Sequence, residues 1–192
     1  MNFVSSPFSW ILLLMKIKYK VKRLPLEEYV KGYYEPNITS EACKNCNSFM
    51  TSWSCPPLGK EYDNLFSRYS QAIIIGVTIA AETPEEASGY SELDLLSRPI
   101  RQKLSRRLLK WEESYGGLSM STIGKCLYCG NMPCTRPSGK PCRHPELVRP
   151  SLEALGFNLV STSENLLNIK LLWNNSEDKR LPVLTYLFGF FY

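Results

Sequence analysis

The sequence predicts a single α/β domain in which a roughly four-stranded sheet is covered by helices, with two irregular cysteine-rich segments attached. Three observations carry this prediction. The stretch QAIIIGVTIA (71–80) is a continuous, largely β-branched run, which is typical of a central strand buried on both faces. A helical periodicity extends from about Tyr90 to Tyr115. All seven cysteines fall in two short stretches, and a chain of 192 residues is long enough to bury a core without covalent cross-links.

Shorter patterns predict the other elements. Lys16–Arg23 alternates between charged and apolar residues, as expected for a half-exposed first strand. The remaining predictions are, in chain order, helices at 25–34 and 61–70, a strand at 118–124, a helical turn at 149–157 between Ser151 as cap and Gly156 as stop, and a closing strand at 181–192.

The long helix is predicted from apolar residues that recur at intervals of three and four. These residues are Leu93, Leu96, Ile100, Leu104, Leu108 and Trp111. We expect a turn around Thr83-Pro84 before this helix. Pro99 is predicted to start or kink the helix, with Ser97 as a candidate N-cap.

The N-terminal stretch FSWILLLM (8–15) raises the question of a membrane or export segment. It is too short to span a bilayer, which takes about 20 apolar residues. It also lacks preceding basic residues and a following small-residue cleavage site, so it is a poor signal peptide. We therefore predict that 1–14 is an extension or arm, that 15–192 is the domain, and that the protein is cytoplasmic without a membrane partner.

The formal net charge of +5 is unevenly distributed. Segments 16–31, 98–113 and 125–149 are each strongly basic. Basic runs are usually solvated faces, so this charge is only a weak indication of nucleic-acid binding. In the third segment the basic residues surround thiols, where they would lower thiol pKa values and balance metal-bound thiolates. These residues are Lys125, Arg136, Lys140 and Arg143.

The cysteine spacing predicts metal binding. The first group reads C-x2-C-x8-C-P-P and the second, seventy residues later, reads C-x2-C-x4-C-x7-C. Closely spaced cytosolic cysteines are more often metal ligands than disulfides, and an odd number cannot pair completely. Seven buried hydrophobic thiols would lie in apolar runs, whereas these lie among Lys, Asn, Ser, Gly and Pro. The spacing fits structural zinc and an iron–sulfur cluster equally well. The predicted metal ligands are Cys43, Cys46, Cys55, Cys126, Cys129, Cys134 and Cys142.

The number of thiols in each group suggests a division of roles. The second group has four cysteines and can complete a closed site, whereas the first has three and leaves one position open. We hypothesise that the second group holds a stabilising centre and the first a reactive one, with His144 or an exogenous ligand in the open position. The alternatives are that the first group binds nothing or shares its thiols with a single site.

Several neighbours of the cysteines are secondary candidates. His144, the only histidine, is either a ligand or a loop residue that donates to a carbonyl. Trp53 is either a lid over the site or a core residue. Arg143, Arg149 and Glu153 either orient the metal ligands or form ordinary surface salt bridges.

Four stretches of the chain resemble a known family: SWSCPPLGKEY, GKCLYC, PCRHPELVRPSLEALGFNLVSTSENL and the closing LPVLTYLFGFFY. They are similar to domain-of-unknown-function family 2284, described as predicted metal-binding proteins and found largely in anaerobic bacteria and archaea. The resemblance extends from about Met15 onward. It implies that all seven cysteines are ligands, and the anaerobic distribution favours an iron–sulfur cluster such as 4Fe–4S over zinc.

Three classes of function follow from these features. The first is an iron–sulfur protein that transfers electrons or supports a redox or methyl-transfer partner enzyme. The second is a zinc-stabilised protein-interaction module, and the third is a nucleic-acid binder using the basic helix at 98–110. Neither a G-x-G-x-x-G motif nor a P-loop, catalytic triad or H-E-x-x-H is present, so nothing indicates a nucleotide-dependent or hydrolytic enzyme. We expect a protein redox partner, and nucleic acid is disfavoured.

Overall fold

The fold is taken from a computed structural model that describes residues 15–80, 90–122, 124, 126–130, 132–171 and 183–192. The predicted N-terminal arm and the turn around Thr83-Pro84 lie outside these residues. The elements, in chain order, are β1 (Lys16–Pro25), α1 (Leu26–Tyr33), α2 (Pro36–Lys44), β2 (Gln71–Ala80), α3 (Tyr90–Tyr115), β3 (Leu118–Met120), α4 (Leu159–Ser161), which continues as a π-helical turn over Thr162–Leu166, and β4 (Val183–Phe191).

The four strands form one antiparallel sheet in the order β1-β2-β4-β3. The strand predicted to be central, β2, does lie inside the sheet, where Ile75 is opposite Val21 on one side and Phe188 on the other. The predicted α/β class and four-stranded sheet are therefore confirmed. β3 is shorter than the predicted strand at 118–124.

Both faces of β2 and β4 are covered, whereas β1, predicted to be half exposed, is exposed along most of its length. Alternate residues of β2 and β4, such as Ile75 and Phe188, pack against α3, whose Leu93 and Leu108 are fully buried. The residues between them face α1 and the segment from 151 to 169, where a second apolar cluster is centred on Phe157. The period of two in the strands places one set of side chains in each cluster, so the long helix and the C-terminal segment are held on opposite faces.

Before β2, one predicted helix is wrong and one helix was not predicted. The predicted helix at 61–70 is instead a pair of 3-10 turns, Lys60–Tyr62 and Leu65–Ser67. Asn64 between them adopts a left-handed conformation with φ of 54°, which an α-helix does not tolerate. The unpredicted helix is α2, whose sequence signals are a proline in its first turn and two buried residues four apart, Thr39 and Cys43.

The long helix has the predicted bounds, Tyr90–Tyr115, but its predicted N-cap is wrong. Because the helix begins at Tyr90, Ser97 is an interior residue. Its hydroxyl bonds the Asp94 carbonyl at 2.7 Å and the Tyr186 hydroxyl at 2.9 Å. Pro99 lies within the helix, and Leu95, whose carbonyl loses its amide donor there, is 52% exposed. Water at this exposed position can satisfy the freed carbonyl.

Candidate metal centre

The three cysteines of the first group line one cavity. Cys43 is buried in the last turn of α2, and a series of tight turns carries the chain past Cys46 to Cys55. The amide of Cys46 donates to the Cys43 carbonyl at 3.1 Å, and the amide of Cys55 donates to the Ser52 carbonyl at 3.0 Å. The three side chains border a first cavity of about 370 Å³, which Glu153 closes on another side.

The surroundings of this first cavity favour neutral thiols. Burial, followed by the nearby Glu153 and the other two cysteines, raises the pKa of Cys43 to about 11. The pKa of Cys55 is also raised, mainly by burial, although a hydrogen bond with Ser54 and the positive charge of Arg136 oppose the increase. Burial raises the pKa of the Glu153 carboxyl as well. Without a cation among them, these acidic groups therefore retain their protons more strongly than they would in water.

The four cysteines of the second group line a different cavity, of about 510 Å³. Cys126, Cys129, Cys134 and Cys142 belong to a segment of turns that follows β3 and contains one short 3-10 turn, Arg136–Ser138. Gln102 of α3 anchors the start of this segment, because its side-chain amide donates to the Leu127 carbonyl at 2.7 Å. The basic residue Lys125 lies outside the described residues.

Several cysteine sulfurs accept hydrogen bonds, most of them from an amide two residues further along the chain. The amide of Ser48 lies 3.4 Å from the sulfur of Cys46, and the amide of His144 lies 3.4 Å from the sulfur of Cys142. The Tyr128 amide bonds Cys126 in the same way, which opposes the rise that burial gives the pKa of Cys126. Donors at this position stabilise negative charge on sulfur.

Arg143 adds a charged donor to the second group. Its Nη1 lies 3.7 Å from the sulfur of Cys129 and donates to the Pro133 carbonyl at 2.8 Å. Of the residues predicted to orient the ligands, Arg143 is therefore in contact with a cysteine.

Arg136 and Trp53 connect the two groups. The Arg136 guanidinium donates to the carbonyls of Ser52, Cys55 and Pro57, and it lies 5.3 Å from the centre of the Trp53 ring. The Trp53 indole donates to the Thr135 hydroxyl at 3.2 Å. Trp53 is 39% exposed and lines the second cavity, so it is not a core residue. The first cysteine segment thus supplies part of the wall around the second group.

Arg149 has a structural partner away from the thiols. Its guanidinium forms a two-pronged ion pair with Glu112 of α3, with a shortest contact of 2.7 Å, and both side chains are largely buried. Burial by itself would raise the pKa of the Glu112 carboxyl. Hydrogen bonds from Arg149 and from the backbone and side chain of Ser119 outweigh this effect and hold the pKa below its usual range. This pair fixes the end of the second cysteine segment to the scaffold.

α3 carries a buried polar cluster that was not predicted from the sequence. Arg101 is 1% exposed, lies 3.2 Å from Asp94 and stacks on the Tyr186 ring at 4.6 Å. Asp94 and Tyr186 form part of the lining of the first cavity. The signal was present, because Ser97, Arg101 and Ser105 are spaced by four on the buried face of the helix.

Comparison with known proteins gives one result. The sequence model of a family described as predicted metal-binding protein (DUF2284) matches residues 34–188. The chain belongs to this family. The match contains all seven cysteines and confirms the resemblance, although it begins after β1 and α1 and not at Met15. No curated protein and no solved structure matches the chain.

In this member of the DUF2284 family the cysteines line two cavities, but their side chains are not arranged as metal ligands. All seven are free thiols. Within the described part of the chain, no three His, Cys, Asp or Glu side chains are close enough together to hold a metal ion. Ligation therefore requires side-chain movement along with loss of the thiol protons. The ligand role of the individual cysteines stays a prediction.

Proposed function

We propose that this protein binds an iron–sulfur cluster through the second cysteine group and transfers electrons to or from a protein partner. The observation that carries the proposal is the arrangement around the second cavity. Four thiols border one space, and Cys126, Cys129 and Cys142 each accept a hydrogen bond from a neighbouring amide or guanidinium. Such donors stabilise metal-bound thiolates and adjust the reduction potential of a cluster.

The second cavity has room for a multinuclear cluster. The four cysteines border a space of about 510 Å³ together with residues of α3 and of the first cysteine segment. A single zinc ion needs less room, because zinc–sulfur bonds of about 2.3 Å bring tetrahedral ligands to within about 4 Å of one another. The soft thiolate set is suited to either metal, so metal and sulfide analysis decides between them.

The residues around the cavity have separate roles in this proposal. The cluster supplies one-electron chemistry when bound. Arg143 offsets the negative charge of the thiolates, and the amides of Tyr128 and His144 hold two sulfurs in place. Trp53 and Met132 form apolar parts of the wall.

A protein redox partner fits the surface next to this cavity. Trp53 and Met132 are 39% and 55% exposed, respectively, and the charged side chains of Lys140 and Arg143 are exposed nearby. An apolar centre with basic surroundings would suit an acidic protein, because complementary charges accelerate and orient association. We place this exchange in the cytoplasm, where thiols remain reduced. In the described residues, no helix combines the length and apolar character that crossing a membrane requires.

Anaerobic purification followed by iron, zinc and acid-labile sulfide analysis tests the proposal. We expect iron and sulfide in similar amounts, with a paramagnetic signal after one-electron reduction or oxidation. Cys129→Ser should lose the cluster, whereas Cys46→Ser, in the first group, should retain it. Stoichiometric zinc without sulfide would instead support the zinc-stabilised interaction module. A preparation with neither metal would reject metal binding by the cysteines.

A further inference from the structure

β1 is an edge strand that pairs on one side only. It stands first in the sheet order, and each of its residues pairs with β2 in an uninterrupted register. In the part of the chain that the structure describes, no strand lies along its other side. Every second residue of such a strand directs its amide and carbonyl away from the sheet. No bulge interrupts the strand and its only proline, Pro25, is at the end, so β1 is a regular template for one more strand.

One face of β1 is apolar and uncovered. Ile17, Tyr19 and Val21 lie on the side of the sheet that α3 covers, and Tyr19 is opposite Val77 of β2. Val77 is 1% exposed, whereas Tyr19 and Val21 are 56% and 61% exposed. The cover on this side of the sheet therefore ends at β2, and its apolar surface continues onto β1 as an exposed row.

The other face of β1 carries a row of lysines. Lys16, Lys18, Lys20 and Lys22 alternate with the apolar residues, and all four are exposed. Lys20 donates to the Asn168 carbonyl at 2.5 Å, but the other three have no ion pair among the described residues. The residues opposite this row on β2 include no carboxylate. A strand on the free side would thus meet ammonium groups on one face and apolar side chains on the other.

The lysine row excludes a second copy of this chain as the occupant of the edge. Two β1 strands paired antiparallel about a two-fold axis would place both lysine rows on the same face. Like charges opposite one another destabilise a strand pair, which is how lysines at an edge prevent self-association. The same row favours a strand whose side chains on that face are acidic.

We propose that β1 binds an extended segment of a partner protein as a fifth strand, in which acidic residues alternate with apolar ones. The backbone of the segment pairs with the free edge, its acidic side chains pair with Lys18 and Lys22, and its apolar side chains cover Tyr19 and Val21. Nucleic acid would use the lysines alone and leave the backbone edge and the apolar row unused. The proposal is independent of metal binding, because β1 lies outside the matched range 34–188 and lines neither cysteine cavity.

Fluorescence polarisation of a labelled nonapeptide of alternating glutamate and valine, titrated with the full-length chain, tests the proposal. We expect saturable binding, and a peptide of the same composition with its glutamates and valines in separate blocks should bind at least about tenfold more weakly. Two further versions are N-methylated at either the glutamates or the valines. Only one set of amides can face β1, so one methylated version should bind at least about tenfold more weakly than the other.

Charge variants test the lysine row. Lys18→Glu combined with Lys22→Glu should weaken binding of the glutamate peptide by at least about tenfold and should allow the corresponding lysine–valine peptide to bind. The matched control, Lys103→Glu with Lys110→Glu, makes the same charge change at exposed positions of α3 and should alter neither affinity. Val21→Glu, which places a charge in the apolar row, should also weaken binding. Far-ultraviolet circular dichroism of each variant checks that it is folded.

Several outcomes would overturn the proposal. The alternating peptide must bind, and its binding must differ from that of the block peptide. Equal binding of the two methylated versions would indicate attraction between charges without strand pairing. At physiological salt, tighter binding of duplex DNA than of the peptide would assign the lysine row to nucleic acid. A dimer in sedimentation that is lost in Val21→Glu would identify a second copy as the occupant.

Discussion

Replacement of Arg136 should disconnect the two cysteine segments. Its guanidinium is the donor for three carbonyls of the first segment, those of Ser52, Cys55 and Pro57, and it also stacks on the Trp53 ring. Arg136→Met keeps most of the aliphatic stem but removes every one of these donors. The turns around Cys55 then lose their main connection to the second segment, and we expect them to open more often.

The size of the effect follows from the contacts. A hydrogen bond to a charged group contributes about 1.5 kcal/mol or more when shielded from water. The bond to Pro57 is exposed and counts for little, whereas the bonds to Ser52 and Cys55 are partly buried. After a reduction for this partial exposure, the loss is about 2 kcal/mol in the free energy of local opening. This corresponds to roughly thirtyfold faster amide exchange in the first segment, since each 1.4 kcal/mol is a factor of ten.

Hydrogen exchange measured by mass spectrometry on peptides within 45–59 is the appropriate assay. Arg136→Lys is the matched control for charge, because a single ammonium group cannot reach three carbonyls at once, and it should give an intermediate rate. Lys110→Met, a change at an exposed position on α3, should leave the rate unaltered. An unchanged exchange rate in Arg136→Met would refute the claim that this residue joins the two segments.

Three other results are expected. Arg149→Met should lower the free energy of unfolding by about 3 kcal/mol, because it leaves Glu112 partly buried without its cation. A double-mutant cycle with Glu112→Gln should give a coupling energy above about 1 kcal/mol between the two residues, and additive effects would contradict this expectation. The folded, metal-free chain retains the Cys43 proton up to about pH 11, above its ordinary pKa of 9.0, so stability should fall as pH rises from 9 to 11. Urea unfolding measured between pH 9 and 11 should show a smaller loss of stability in Cys43→Ala than in the unaltered chain. Identical dependence of stability on pH in the two proteins would be inconsistent with this. Metal removal should increase hydrogen exchange in 41–60 and 126–149 but spare the sheet; global unfolding would contradict this.

Much of the scaffold could be predicted because its signals are local. The β-branched run of β2 and the repeat of three and four in α3 both report which residues are buried. The alternation in β1 predicted a strand but not its burial, because its apolar residues Tyr19 and Val21 are exposed. The grouping of the cysteines was also local, since Cys43 and Cys55 are twelve positions apart and cannot separate widely within a segment of turns. The predicted helix at 61–70 failed where Asn64 adopts a left-handed conformation, and the predicted cap at Ser97 failed because the helix begins at Tyr90.

What the tertiary structure decided is which distant segments meet at each cavity. The periodicity of apolar residues shows that one face of an element is covered, but it does not show which segment covers it. No sequence pattern therefore placed Glu153 beside the first cysteine group, because Glu153 follows the second group in the chain. The same limit applies to Trp53, which borders the second cavity although it adjoins Cys55 in sequence. It applies also to Arg101, whose charge suggested a solvent-facing residue until its contacts with Asp94 and Tyr186 were known. Spacing in the sequence determined which thiols border the same cavity, whereas the packing of the chain on the two faces of the sheet determined which charges surround them.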